Sequence, residues 1–197
     1  MYTADQALAR LIAGNERFVR GKARFQTVKK EVLASLAKQQ RPYATIVGCS
    51  DSRVAPELLF DAGFGELFIV RVAGNVISPE VTGTLQYAAV HLKTPLFVVL
   101  GHEGCGAVQA ALATMFHGTR EKKRIRVLLN SIIPGLRNIR QRGRAAARLE
   151  AAVEANVHWS IRQLHATPEV RARRAEGIMK LVGAVFELTT GRVRFIA

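Results

Sequence analysis

The sequence predicts an α/β fold: a mostly parallel central sheet, about four parallel strands plus an antiparallel terminal strand, flanked by helices and preceded by an amino-terminal helix arm. Three observations predict it. Short apolar runs of strand length recur along the chain: Tyr43–Gly48 (YATIVG), Leu67–Arg71 (LFIVR) and Leu96–Gly101 (LFVVLG). Unbroken apolar runs of this kind mark strands buried on both faces. Segments of helical periodicity separate them, and that alternation favours a parallel sheet covered on both sides. Near the carboxyl end, Val182–Leu188 and Val193–Ile196 flank Thr-Thr-Gly-Arg, a hairpin signal that adds the antiparallel strand.

The helices follow from spacing and caps. Residues 3–19 read as an amphipathic helix with Ala7, Leu8, Leu11, Ile12 and Phe18 on one stripe and Thr3 as N-cap. A second helix covers 28–38 and stops before Pro42. Pro79–Leu92 is opened by Ser78 as cap with Pro79 in the first position. Ala107–Phe116 is helical and closes at Gly118, and 122–176 is mostly helix, broken near Pro134-Gly135, Gly143 and Pro168. No repeat, low-complexity stretch or linker interrupts the chain. One domain over 1–197 is therefore expected: a helical arm (1–40), a site-bearing core (41–118), a basic helical region (119–176) and the terminal strand hairpin (177–197).

The 197 residues are 49% hydrophobic and 22% charged, a balance that supports a packed core rather than disorder. No apolar run reaches the roughly 18–20 residues that cross a bilayer. The start, MYTADQALARLIAGNERF, lacks the apolar centre of a secretory signal. A cytoplasmic protein with no membrane partner is expected. Net charge is +14, and residues 120–176 carry 14 of the 29 Lys and Arg against five acids. Such a surplus suits nucleic acid or an acidic partner. The cations are, however, spread through helical patterns with little aromatic material between them, which favours a solvated basic face over docking.

Chemistry concentrates at two strand ends, where sheets of this kind bind ligands. Gly48-Cys49-Ser50-Asp51-Ser52-Arg53 follows the first strand and Gly101-His102-Glu103-Gly104-Cys105-Gly106 the third. Cys49 and Cys105 are the two cysteines of the chain. They could form a disulfide, lie buried as small apolar side chains, act as a redox pair or bind metal. His102 and Cys105 stand three apart at a strand-to-helix junction and can face one point. With Cys49 they make a Cys2His set, a pattern that catalytic zinc uses while keeping a fourth position open. Soft thiolates favour zinc over magnesium or calcium. A structural site would close with a fourth Cys or His, and there is no third Cys; Asp51 and Arg53 instead place an acid–base pair beside the ligands. That combination reads as a catalytic metal site.

CSDSR, followed across the second strand by GHEGCG, resembles the signature of β-class carbonic anhydrases. LIAGNERFVRG and LVGAVFELTTGRV resemble that family's amino-terminal helix and terminal hairpin, so the likeness runs along almost the whole chain. The resemblance implies one zinc ion per chain on Cys49, His102 and Cys105, and a catalytic dyad of Asp51 and Arg53. It implies reversible hydration of carbon dioxide to bicarbonate and a proton, by a zinc-supplied hydroxide that the dyad orients. Plant-type members line their carbon dioxide site with a Gln, a Phe, a Val and a Tyr. The matching positions are Gln40, Phe68, Ala73 and Tyr87, with Ala73 a departure that widens the pocket. Ile46 stands where some bacterial members carry the Trp of a non-catalytic bicarbonate site, so that form of the switch is not expected and an open centre is favoured. Asp51 becomes a fourth ligand only in a closed, inactive state, reached when Arg53 releases it. Glu103 places an extra acid in the His-x-x-Cys spacer with no assigned effect. His91, His117, His158 and His165 lie outside the matched motifs, so no proton shuttle is assigned.

In that family a homodimer, built by exchanged amino-terminal helices and adjoining sheets, completes the pocket. The 3–19 helix suits that role, with a tetramer as the larger assembly. Two rival functions use the same residues. Relatives with the same ligands hydrolyse carbonyl sulfide or carbon disulfide; Gln40 and Tyr87 favour carbon dioxide. A basic binding protein with vestigial catalysis would dock through 120–176, and the intact ligand set and dyad argue against it.

Overall fold

The computed structural model describes residues 2–24 and 30–196. Its sheet has five strands: β1 (Ala44–Gly48), β2 (Leu67–Arg71), β3 (Leu96–His102), β4 (Lys180–Phe186) and β5 (Val193–Ile196). They lie in the order β2-β1-β3-β4-β5. β1 to β4 pair in parallel and β5 runs antiparallel to β4, as the patterning predicts. The helices are α1 (Ala4–Val19), α2 (Lys30–Leu36), α3 (Pro56–Leu59), α4 (Pro79–Tyr87), α5 (Gly106–His117), α6 (Lys123–Ile132), α7 (Ala145–His165) and α8 (Pro168–Ala175).

β1 and β3 are buried at every position, which is why their sequences show no alternation. β2 departs from the expectation of a buried strand. It is only half-buried, because it forms the sheet's edge and has a single strand neighbour among the described residues. Side chains of successive residues point to opposite faces, and each face has its own core. Ile46, Val98 and Leu100 pack with Ala7, Leu11 and Leu59 from α1 and α3. Val47, Val99 and Val185 pack with Val81, Val108, Val153 and Val157 from α4, α5 and α7.

Thr3 caps α1 in a reciprocal box with Gln6, each side chain accepting from the other's amide (2.9 and 3.2 Å). The buried stripe is Ala4, Ala7, Leu11, Gly14 and Asn15, so the apolar stripe read from the sequence is displaced and Ile12 is exposed. Asn15 explains the shift. Its Nδ2 donates to Leu59 O and Gly191 O while its Oδ1 accepts from Val193 N, locking α1 onto its own chain. The expected helix at 28–38 is seen as α2; residues 28 and 29 lie outside the described residues. Ser78 caps α4 as expected, but α4 ends at Tyr87 and a π turn, Ala88–Leu92, completes the segment. The Lys and Arg of 120–148 are solvent-exposed apart from half-buried Arg148. None of them forms an ion pair among the described residues. No helix of the described residues is long and apolar enough to cross a membrane.

Gly14 gives the packing a direct test. Helix propensity favours alanine over glycine by about 1 kcal/mol, yet a Cβ on Gly14 would lie 1.9 Å from the backbone oxygen of Phe60. Backbone cannot yield as a side-chain tip can, so Gly14→Ala is expected to lower stability by about 1–3 kcal/mol in urea titration. A stabilised variant would show that α1 does not rest on α3 as described.

Candidate metal centre

β1 and β3 are neighbours, so their carboxyl ends deliver side chains to one place. Cys49 follows β1 directly, His102 is the last residue of β3, and Cys105 is the N-cap of α5. Their ligand atoms all lie within 4.8 Å of one another, and all three residues are buried. A tetrahedral zinc with Zn–S of about 2.3 Å and Zn–N of about 2.0–2.1 Å needs its ligand atoms about 3.5–4 Å apart. The donor set fits.

The imidazole supplies the sharper test of fit. His102 is fully buried, and its Nε2 has no hydrogen-bond partner. Nδ1 donates to the Glu103 carbonyl at 2.9 Å, which fixes the tautomer and leaves the Nε2 lone pair free. An unmatched buried acceptor costs about 1–3 kcal/mol; a metal ligated there removes that cost. Both cysteines are free, which corrects the disulfide reading. A hydrogen bond from Cys105, aided by the Gly74 and Asp51 amides, outweighs burial and holds the Cys49 thiol well below its ordinary value. That same bond, with burial, pushes Cys105 up. Ligand thiols bind a metal deprotonated, so a cation held here would displace their protons.

The dyad stands beside this cluster. Arg53 grips Asp51 with Nε on Oδ1 at 2.9 Å and Nη2 on Oδ2 at 2.8 Å, and the Arg53 amide adds a third bond at 3.0 Å. These hydrogen bonds hold the Asp51 carboxyl well below the usual carboxylate range. Asp51 Oδ2 is 3.9 Å from His102 Nε2, so its carboxylate borders the ligand cluster. Arg71, unnoticed in the sequence, donates to Cys49 O (3.0 Å) and Asp51 O (2.6 Å) and so holds the backbone at the start of the CSDSR loop. Its one sequence signal was a cation closing an apolar strand; register places it opposite Gly48.

The remaining site residues are not all gathered here. Phe68 and Tyr87 meet with ring centroids 6.3 Å apart, and Tyr87 also lies 4.9 Å from the His91 ring. Ala73 opens the turn whose next residue, Gly74, donates its amide to Cys49 Sγ at 3.3 Å. Gln40 is exposed in the loop before β1. Ile46 is fully buried in the core on the sheet face opposite that of Cys49. Glu103 is occupied elsewhere: its Oε2 accepts from the amide and hydroxyl of Thr189 at 3.2 and 3.3 Å, tying the β3 end to the β4–β5 turn.

The carbonic anhydrase family profile matches residues 44–193. Carbonic anhydrase 2 of Mycobacterium tuberculosis is 40% identical over 180 residues, covering 91% of this chain and 86% of its own. This chain belongs to the β-carbonic anhydrase family. Among solved structures, a Coccomyxa β-carbonic anhydrase in complex with acetazolamide is 27% identical with a TM-score of 0.75, over 96% of this chain and 86% of that one. A tetrameric β-carbonic anhydrase of Sordaria macrospora shares the fold with a TM-score of 0.79 at 24% identity, over 96% of both chains. Membership and geometry agree on a triad positioned for one zinc ion per chain.

Elemental analysis separates the ligands from their acidic neighbour. Purified protein is expected to contain one zinc per chain and Cys105→Ala under a tenth of that, while Glu103→Gln keeps its metal and loses about 1 kcal/mol of stability. Zinc retained in Cys105→Ala would remove that residue from the donor set.

Proposed function

We propose that this β-carbonic anhydrase catalyses the reversible hydration of carbon dioxide to bicarbonate and a proton, in a single domain spanning 1–197. The observation that carries the reading is an ionised carboxylate, Asp51, clamped by Arg53 beside three converging ligand atoms. Cys49, His102 and Cys105 would hold zinc, which would supply Lewis acidity and lower the pKa of water toward about 7. Two thiolates cancel its formal charge, so the neighbouring residues contribute more to reactivity. Arg53 keeps Asp51 charged and oriented. Asp51 accepts a hydrogen bond from the attacking hydroxide, which leaves the oxygen lone pair directed at the carbon. Bicarbonate leaves, and the proton passes to solvent.

Carbon dioxide is apolar, and Phe68, Ala73 and Tyr87 form the wall that suits it, with Gln40 donating to a substrate oxygen. Tyr87 is 47% exposed on its own chain and Gln40 is exposed too. A homodimer that buries them supplies the missing enclosure, and dimers can pair into a tetramer. Phe64 and Leu58, exposed near the free edge of the sheet, support such a contact. Two free thiols beside one another suit the reducing cytoplasm. The cations of 120–148, which form no ion pair among the described residues, remain a solvated face in this account.

Stopped-flow hydration at saturating zinc tests the dyad. Asp51→Asn is expected to lose about 100-fold or more in kcat/KM, and Arg53→Ala to keep zinc and fall similarly. Full activity in Asp51→Asn contradicts the reading, and faster sulfide release from carbonyl sulfide than carbon dioxide hydration reassigns the substrate. The pH dependence has a definite sign. Asp51 is depressed, so its ion pair is intact above the ordinary carboxylate value of about 3.9 and breaks only as pH falls through a lower folded value. Loss of rate between about pH 8 and 6 therefore does not follow Asp51 protonation in the wild type, whereas Arg53→Ala moves that protonation upward.

A further inference from the structure

Gly74 and Asn75 form an unusual turn. Both sit in the left-handed region, at φ 67° and 44°, which costs a non-glycine residue about 1 kcal/mol or more. Glycine suits position 74 on both counts, since a Cβ there would also lie 2.6 Å from Ile132 Cδ1 and 3.2 Å from Ala107 Cβ. Within the turn the backbone offers one hydrogen bond, from Asn75 N to Val72 O. The rest comes from α7. Asn156 Nδ2 donates to Gly74 O at 2.8 Å, Ser160 Oγ donates to Asn75 O at 3.0 Å, and Asn75 Nδ2 donates back to Ser160 Oγ at 3.3 Å. Asn75, Asn156 and Ser160 are all at least 98% buried, and Asn156 and Ser160, four apart, share one face of α7.

We propose that Asn156 and Ser160 are positioning residues for the metal centre, holding the Gly74 amide on Cys49 Sγ. This rests on the zinc reading above and adds a role for α7 in it. The two carbonyls that α7 grips belong to the peptide units that follow the Gly74 N–H; holding them fixes the dihedrals of the turn, and through those dihedrals the direction of the N–H on the preceding peptide. That N–H donates to a ligand sulfur. A hydrogen bond to a coordinating thiolate withdraws charge from the sulfur and leaves the metal a stronger Lewis acid, which matters most where two thiolates already offset its charge. A network kept only to fill space would be replaceable by apolar side chains at little cost. Three buried polar groups converging on one strained turn are explained by what the turn presents.

The test uses cobalt(II) exchanged into the full chain, read by the thiolate-to-cobalt charge-transfer band and by chelator competition. Asn156→Leu and Ser160→Ala are expected to bind cobalt about 10- to 100-fold more weakly and to shift the band, with Ser160→Ala the milder change should Asn156→Leu fail to fold. Leu164→Ala, also buried on α7 but outside the network, is the control: it should lose stability and leave the band in place. Wild-type affinity and spectrum in both network variants would overturn the proposal, as would an equal shift in Leu164→Ala. If the wild type itself takes no cobalt, the zinc reading fails first, and the two failures are distinct.

Discussion

A buried imidazole nitrogen with no protein partner, set between two buried thiols, is an arrangement that a folded chain keeps only if something binds there. The fold around His102 follows from meeting that demand. Two parallel strands must end side by side, so β1 and β3 are the most deeply buried pair in the sheet. The ring must present Nε2 alone, so Nδ1 is committed to the next residue's carbonyl. The second sulfur must arrive three residues after His102, so Cys105 stands as the N-cap of α5. Helix α7 lies close beneath this end of the sheet, because a Cβ on Gly101 would come 2.6 Å from Val157. That close approach brings Asn156 within reach of the turn beside Cys49.

Charge is handled in two different ways on the one molecule. At the surface, the cations of 120–148 are left to water, where separate exposed charges interact weakly. At the centre, each charge is directed. Arg53 takes both oxygens of Asp51, Arg71 spends its donors on the carbonyls of Cys49 and Asp51, and Gly74 offers its amide to a sulfur. The result is a carboxylate that stays ionised and cannot swing freely, next to a metal site of low net charge. In the proposed function that pairing is what makes hydration at neutral pH feasible.

Much of this was legible from the residues. Unbroken apolar runs gave β1 and β3 because burial on both faces leaves no alternation to read. The Ser78 and Thr3 caps, and the Gly118 stop at φ 65°, were local signals and appeared where the sequence placed them. The ligand triad and the Asp51–Arg53 ion pair beside it were legible because reactive residue types sat at strand ends. What failed depended on tertiary context. Ile12 belongs to the stripe by period but not by contact, since Asn15, a polar residue, anchors the buried side of α1. β2 reads as buried because its residues are apolar, while its edge position leaves it half-covered. Arg71, Asn75, Asn156 and Ser160 carry no motif: their role is created by register and by helix placement, and the Asn156–Gly74 contact joins residues 82 apart.

The account stands on the identity of the donor atoms around the metal, and X-ray absorption at the zinc edge of the purified enzyme reads them directly. Two sulfurs and one imidazole nitrogen from this chain, with Asp51 absent from the metal while Arg53 holds it, is the predicted result. A zinc with one sulfur or none, or no zinc under conditions where the enzyme hydrates carbon dioxide, would contradict the site as built here.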